Sequence, residues 1–190
     1  MPTSMPSVIP TVVNEVMRLR PKSILDVGVG MGKFGLLFRE YLEGWGFHRY
    51  CRERWQVRLE GVEIFPQYIQ PWHKEIYDVI HRGDIRKLWP LLPIWTDGSG
   101  LREKYGECYD LVYMGDVIEH FPKADGLKLV KDMPFKWLIV STPNFKTRTT
   151  GRNKENVHQD HLSVWTAADF RPFRHKVLQQ DRMLVVEVVK

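Results

Sequence analysis

The residues best placed to do chemistry fall in a few short runs. The first is Asp26-Val-Gly28-Val-Gly30-Met-Gly32. Glycines at alternate positions let the backbone approach a ligand closely and let a helix start tight against a strand. The spacing speaks against two phosphate-binding readings. A Walker A loop needs Ser or Thr after Lys33, where Phe34 stands, and an earlier glycine where Val27 stands; a GxGxxG fingerprint opening at Gly28 needs glycine at Lys33. Two acids follow. Glu63 ends the run Val57 to Ile64, where a carboxylate can accept both hydrogen bonds of a ribose diol, though alone it is equally a surface carboxylate. Asp84, in Arg82-Gly-Asp84, can accept from an adenine amino group, cap a helix starting at Ile85, or do both. In Asp116-Val-Ile-Glu119-His120, helical turns put two carboxylates and an imidazole on one face at i, i+3 and i+4.

These runs need a scaffold of alternating strands and helices. Val8 to Leu19 has helical spacing and is closed by Pro21; Ser23 to Gly28 is a strand, and Lys33 to Leu42 a helix. Gly44 to Gln56, rich in Trp, Arg and Tyr, is predicted as an insertion or extra helix. Strands follow at Val57 to Ile64, Asp78 to Gly83, Tyr109 to Met114 and Lys136 to Val140, with helical segments at Pro66 to Tyr77, Ile85 to Leu92 and Pro122 to Asp132, and a loop at Pro93 to Glu107. After a helix at Val164 to Phe173 come two strands, His175 to Gln180 and Met183 to Val189, joined by a turn at Asp181. Such alternation implies right-handed crossovers and a mostly parallel α/β sheet, the terminal hairpin adding one antiparallel strand. In such a sheet a ligand lies at the carboxyl ends of the strands, where the runs above fall.

Composition is that of one soluble domain spanning residues 1–190. The chain is 43% apolar and 27% charged, which excludes collagen-like and disordered classes. Cys51 and Cys108 form no CxxC pair, so zinc ribbons and disulfide frameworks lack ligands and a cytoplasmic, reducing location is expected. No basic n-region leads into an apolar stretch, and no apolar run is long enough to span a bilayer, so neither export nor membrane insertion is predicted. The net charge is +5, and from Thr142 to Lys176 seven basic residues face three acidic ones. Solvated basic loops are commoner than nucleic-acid sites, so charge alone does not assign an anionic partner.

Taken together, Ile24 to Gly35, Glu63, Gly83-Asp84, Tyr109 to Phe121 and Ser141-Thr-Pro-Asn144 resemble the class I S-adenosylmethionine-dependent methyltransferases. The resemblance implies a Rossmann-like seven-stranded sheet in the order 3-2-1-4-5-7-6 with strand 7 antiparallel. It implies S-adenosylmethionine as cosubstrate, with S-adenosylhomocysteine as product. Asp26, Gly28, Gly30 and Gly32 would then flank the methionine moiety, Glu63 take the ribose and Asp84 the adenine, while Met114, Gly115 and Asp116 line the cosubstrate near its sulfonium.

Because a sulfonium methyl is already activated, such a protein mainly aligns a nucleophile and removes its proton. His120 is the expected base, with Asp116 and Glu119 beside it. The Asp116 to His120 run resembles ubiquinone-type and other small-molecule O-methyltransferases, so O-methylation of a small or anionic acceptor is expected. With Ser141 to Asn144 and His158 to Phe170 it is also similar to enzymes that methylate the 2′-hydroxyl at the 3′ end of small RNAs, which makes RNA an alternative acceptor. Those hold a divalent ion with Glu, Glu, His and a later His; the matching positions are Asp116, Glu119, His120 and His161, and the shorter Asp116 reduces the reach. The reading preferred is that the two histidines are polar pocket residues without an ion. A non-catalytic nucleoside-binding module and an NAD-dependent oxidoreductase are the remaining alternatives, the second disfavoured by the glycine spacing.

Overall fold

The computed structural model describes residues 4–92, 108–145 and 156–190. The expected loop Pro93 to Glu107 and the basic residues Lys146, Arg148, Arg152 and Lys154 lie outside the described residues. Seven strands form one sheet: β1 (Ser23–Val27), β2 (Arg58–Glu63), β3 (Val79–Arg82), β4 (Tyr109–Gly115), β5 (Phe135–Pro143), β6 (Arg174–Gln180) and β7 (Met183–Val189). Their order is β3-β2-β1-β4-β5-β7-β6, and β7 runs antiparallel to both its neighbours. Order and direction are those expected.

Central strands buried on both faces read as continuous apolar runs, and every residue of β1 is buried. Alternation along the strands divides the core into two layers. Leu25, Val27, Val112, Met114, Leu138 and Val140 face the layer completed by Trp165 and Phe170. Ile24, Leu111, Tyr113, Ile139 and Val185 face the opposite one, where Val12 and Val16 of helix α1 (Ile9–Leu19) and Phe34 and Phe38 of helix α2 (Lys33–Arg39) pack. Two more helices lie among the described residues: the single turn α3 (Ile85–Leu88) and α4 (Lys123–Asp132).

Several expected helices are shorter or absent. Pro66 to Tyr77 is two 3-10 turns, Pro66–Tyr68 and Pro71–Glu75. Pro71 supplies no N–H and holds Gln70 extended (φ −113°, ψ 162°), which breaks the helix there. Val164 to Phe173 reduces to the turn Ala167–Phe170, opened by a capping box between Thr166 and Asp169. The stretch Gly44 to Gln56 is a loop with one turn at Arg52–Arg54, and α2 continues into a wider turn at Glu40–Gly44. Strand β5 outruns its expected end because Ser141, Thr142 and Pro143 pair with Val185, Leu184 and Met183 of β7.

Candidate active site

The carboxyl ends of β1, β2 and β4 open onto a cavity of about 620 Å³, whose wall carries both the glycine turn and the Asp116 to His120 run. In the turn, Gly28, Gly30 and Gly32 have φ of 80°, 53° and 80°. The amides of Gly28 and Val29 donate to the Val62 carbonyl at 2.8 and 3.2 Å, stitching the turn to β2. A Cβ on Gly28 would lie 2.4 Å from Cγ2 of Val117, so only glycine fits between β1 and the β4 turn. Gly32 is not on the cavity wall. It caps α2 in the left-handed region, and a Cβ there would meet the His73 ring at 2.9 Å, so its part is to let the 71–75 turn close on the helix.

Glu63 is 4% exposed and lines the cavity. Its Oε2 accepts from the Gly30 amide and its Oε1 from the Phe65 amide, each at 2.9 Å. The carboxylate is thus aimed by the backbone, with lone pairs remaining on both oxygens for further donors. Burial raises its pKa, against the pull of those amides.

Asp26 is buried and accepts from the Tyr77 hydroxyl at 2.5 Å. Burial pushes its pKa up to about 7, opposed by the Tyr77 bond and helped by the neighbouring Glu63 charge. The Tyr77 ring sits in a slot made by two glycines: a Cβ on Gly35 would lie 2.3 Å from it, and one on Gly61 3.2 Å. Nothing in the run Pro66 to Tyr77 marked Tyr77 as part of the site. Gly35 inside a helix and Gly61 inside a strand were the available signals, since each marks a close approach. Tyr77→Phe is expected to cost about 1–3 kcal/mol, read by chemical denaturation, because it strips a buried carboxyl of its donor.

Protonated Asp26 also sets a pH dependence. The folded protein keeps a proton up to about pH 7 that the unfolded chain releases near 3.8, so stability falls as pH rises across that window and levels above it. Asp26→Asn is expected to flatten this fall, the variant gaining several degrees in Tm on wild type between pH 4 and 7.5 in ligand-free protein, as thermal melts will show.

Asp84 caps α3, accepting the Arg86 amide at 2.9 Å. Both its oxygens are also engaged by the Arg86 guanidinium, at 2.6–3.0 Å. The capping role holds, and the oxygens expected to meet an adenine amino group are turned to arginine. Arg86 itself lines the cavity, reaches Asp125 at 3.1 Å and lies 4.8 Å above the Phe121 ring.

At the end of β4, Gly115 and Asp116 line the cavity, whereas Met114 is fully buried in the core. Side chains alternate along a strand, so Tyr113 and Gly115 share the wall face and Met114 points away. Asp116 adopts φ 52°, unusual outside glycine, and its amide donates to the Ser141 carbonyl at 2.8 Å. Ser4 and Met5 also lie on the wall, and Lys33 Nζ donates to the Ser4 carbonyl at 2.9 Å. Burial raises the Asp116 pKa, moderated by the Ser4 hydroxyl and by the charges of His120 and Lys33.

The turn Ile118–His120 brings Glu119 and His120 to the same wall. Glu119 is 1% exposed; its Oε2 accepts from Thr142 Oγ1 at 2.9 Å, and its Oε1 has no partner among the described residues. Burial and the Asp116 charge push its pKa up to about 8. His120 Nδ1 faces the Asp160 carbonyl oxygen at 3.0 Å. A carbonyl only accepts, so in the neutral ring Nδ1 carries the proton and Nε2 the lone pair. His161 meets His120 edge to face, centroids 4.8 Å apart, and its pKa is depressed to about 4 by burial and by the His120 charge. Glu119, His120 and His161 each offer a ligand atom, all within 4.8 Å of one another; Asp116 stands outside this trio.

No family model and no curated protein matches the sequence. Solved structures do. Magnesium protoporphyrin IX methyltransferase from Synechocystis, with S-adenosylhomocysteine bound, is similar at 15% identity and a TM-score of 0.59, covering 97% of this chain and 82% of its own. The methyltransferase domain of bacterial CtHen1 is similar at 17% identity and a TM-score of 0.52, covering 95% of each chain. An Escherichia coli rRNA methylase aligns over 97% of this chain at 13% identity and a TM-score of 0.52; this chain spans 64% of its length, and 56% of another matched chain. With the strand order, the lone antiparallel β7 and the glycine turn at the β1 tip, these likenesses establish that the chain has the class I methyltransferase fold.

Proposed function

We propose that the protein is an S-adenosylmethionine-dependent methyltransferase acting on a hydroxyl of a small acceptor. The observation that carries this is the His120 imidazole, its Nδ1 turned to the Asp160 carbonyl, on the wall of the same cavity as Glu63 and the glycine turn. The bound sulfonium supplies an activated methyl group; the chain's own residues do the rest. Glu63 holds the ribose diol and the glycine turn leaves room for the methionine portion. His120 Nε2 takes the hydroxyl proton as the oxygen attacks, leaving a methyl ether, S-adenosylhomocysteine and an imidazolium. Burial lowers the His120 pKa, so the ring is already neutral at pH 7. Among the described residues the wall bears carboxyl groups at 26, 63, 84, 116, 119 and 160 beside Lys33 and Arg86; burial holds Asp26 and Glu119 toward their neutral forms, and Asp84 is paired with Arg86.

The test is calorimetric titration with S-adenosylhomocysteine, followed by transfer of a radiolabelled methyl to phenols, acids, sugars and short RNAs. Binding with transfer to a hydroxyl supports the proposal. Binding without turnover on any of them points to a nucleoside-binding module, and binding of NAD instead to an oxidoreductase.

A second reading is favoured by one observation. The orphaned, buried Glu119 Oε1 stands beside His120 and His161 in a donor set that suits Mn²⁺ better than Mg²⁺. In this reading the protein is a metal-assisted RNA 2′-O-methyltransferase: Glu119, His120 and His161 would hold the ion, which would supply Lewis acidity toward the acceptor hydroxyl. His120 would then be a ligand. Activity surviving EDTA, with no heat on Mn²⁺ titration, is the outcome expected from the first reading; loss of activity restored by Mn²⁺ would replace it with the second.

A further inference from the structure

We infer that the loop from Trp45 to Arg54 is a second binding surface, built to stack the bases of a single-stranded nucleic acid. The loop joins the end of α2 to the start of β2, so it lies at the opposite end of the strands from the cavity. Strand β2 alone sets them about 20 Å apart.

The inner side of this loop is fixed by one buried carboxylate. Glu43, 1% exposed, accepts the amides of Gln56 and Val57 on Oε1 at 2.8 and 2.7 Å and pairs with Arg49 Nε on Oε2 at 2.5 Å. Trp55 Nε1 donates to the Arg49 carbonyl at 3.0 Å, and the chain turns through Gly46 and His48 at φ 75° and 55°. The outer side carries what a core would normally hide: Trp45 is 66% exposed, Tyr50 72% and Phe47 43%. Three large aromatics within six residues, on a loop pinned from beneath, are not the scattered apolar residues of an ordinary surface.

Charge selects the partner. From Trp45 to Arg54 the loop carries Arg49, Arg52 and Arg54 against Glu53; Glu43 pairs with Arg49, and Asp78 lies 3.6 Å from Arg52. Arg20, following α1, brings its guanidinium 5.9 Å from the Phe47 ring centroid, with Arg49 at 4.5 Å, so the positive charge on offer is that of Arg54 and Arg20. Rings that offer π-faces between guanidinium groups match the two repeating features of a single strand, its bases and its phosphates. A two-fold pairing of this surface with itself would set like charge against like.

The probe is a fluorescein-labelled oligouridylate of about 12 nucleotides, followed by anisotropy over a salt series. Wild type is expected to bind with an affinity that falls as salt rises. The double variant Trp45→Ala, Tyr50→Ala is expected to bind at least about tenfold more weakly with Tm unchanged, since both rings are solvent-facing. Arg54→Glu is expected to reduce the salt slope. Absence of binding at low salt, or equal binding by wild type and the double variant, overturns the inference. So does a concentration-dependent sedimentation coefficient in wild type that the double variant loses, which would make the surface a contact between copies of this chain. None of these readouts depends on methyl transfer, so this inference and the proposed activity fail separately.

Discussion

His120→Ala is expected to lower kcat by about 10²–10⁴-fold, the usual contribution of a positioned general base, while S-adenosylhomocysteine affinity stays within about twofold. The asymmetry follows from geometry. His120 lies on the turn after β4, whereas the groups proposed to hold the nucleoside, the glycine turn and Glu63, lie at the tips of β1 and β2. Wild-type kcat should depend on pH with its acid limb below the ordinary histidine range of about 6.5, since burial depresses this imidazole and the neutral form is the active one. The alanine variant should lose that limb. A variant that turns over at the native rate removes His120 from the chemistry. Should the same substitution abolish Mn²⁺ binding in a wild type that requires the ion, the ligand role replaces the basic one.

Gly30→Arg is expected to remove S-adenosylhomocysteine binding, pushing its affinity beyond the millimolar range and so below about 4 kcal/mol, where calorimetry shows no heat. Gly30 lies on the cavity wall with φ 53°, a conformation a side-chain-bearing residue adopts at about 1–2 kcal/mol. The fold should therefore survive, with a cooperative melt a few degrees lower. Gly28 is the poorer choice, since a Cβ there strikes Val117 and would confound loss of binding with loss of packing. Native affinity in Gly30→Arg would refute the placement of the nucleoside on this turn.

Strand direction was legible because a parallel sheet announces itself in alternating segments, strand order came from the resemblance to the class I methyltransferases, and the glycine turn was legible because positive φ at alternate positions leaves little choice of residue. The fate of Met114 was also legible in principle: neighbours on a strand face opposite ways, so with Tyr113 and Gly115 on the wall Met114 turns into the core. Asp84 needed only the arginine two places on, within reach of a capping carboxylate. Tyr77, by contrast, reaches Asp26 across 51 positions, and the only signals for it were the close-approach glycines Gly35 and Gly61 far from it in sequence. The short turns between Pro66 and Glu75 escaped for a related reason. They combine the local break at Pro71 with packing on the glycine turn, where His73 fills the space Gly32 leaves.

Four hydrogen bonds join the chain near His161 to the turn that bears His120. The Glu119 carbonyl accepts from Leu162 and Ser163, Trp165 Nε1 donates to the Ile118 carbonyl at 3.1 Å, and the Asp160 carbonyl fixes His120. His120, the proposed proton acceptor, thus takes its aim from a segment some forty residues downstream, with no regular helix or strand to stiffen it. On gentle warming this latch should slip before the sheet melts, so that the proposed methyl transfer is lost while the proposed nucleoside seat on β1 and β2 persists.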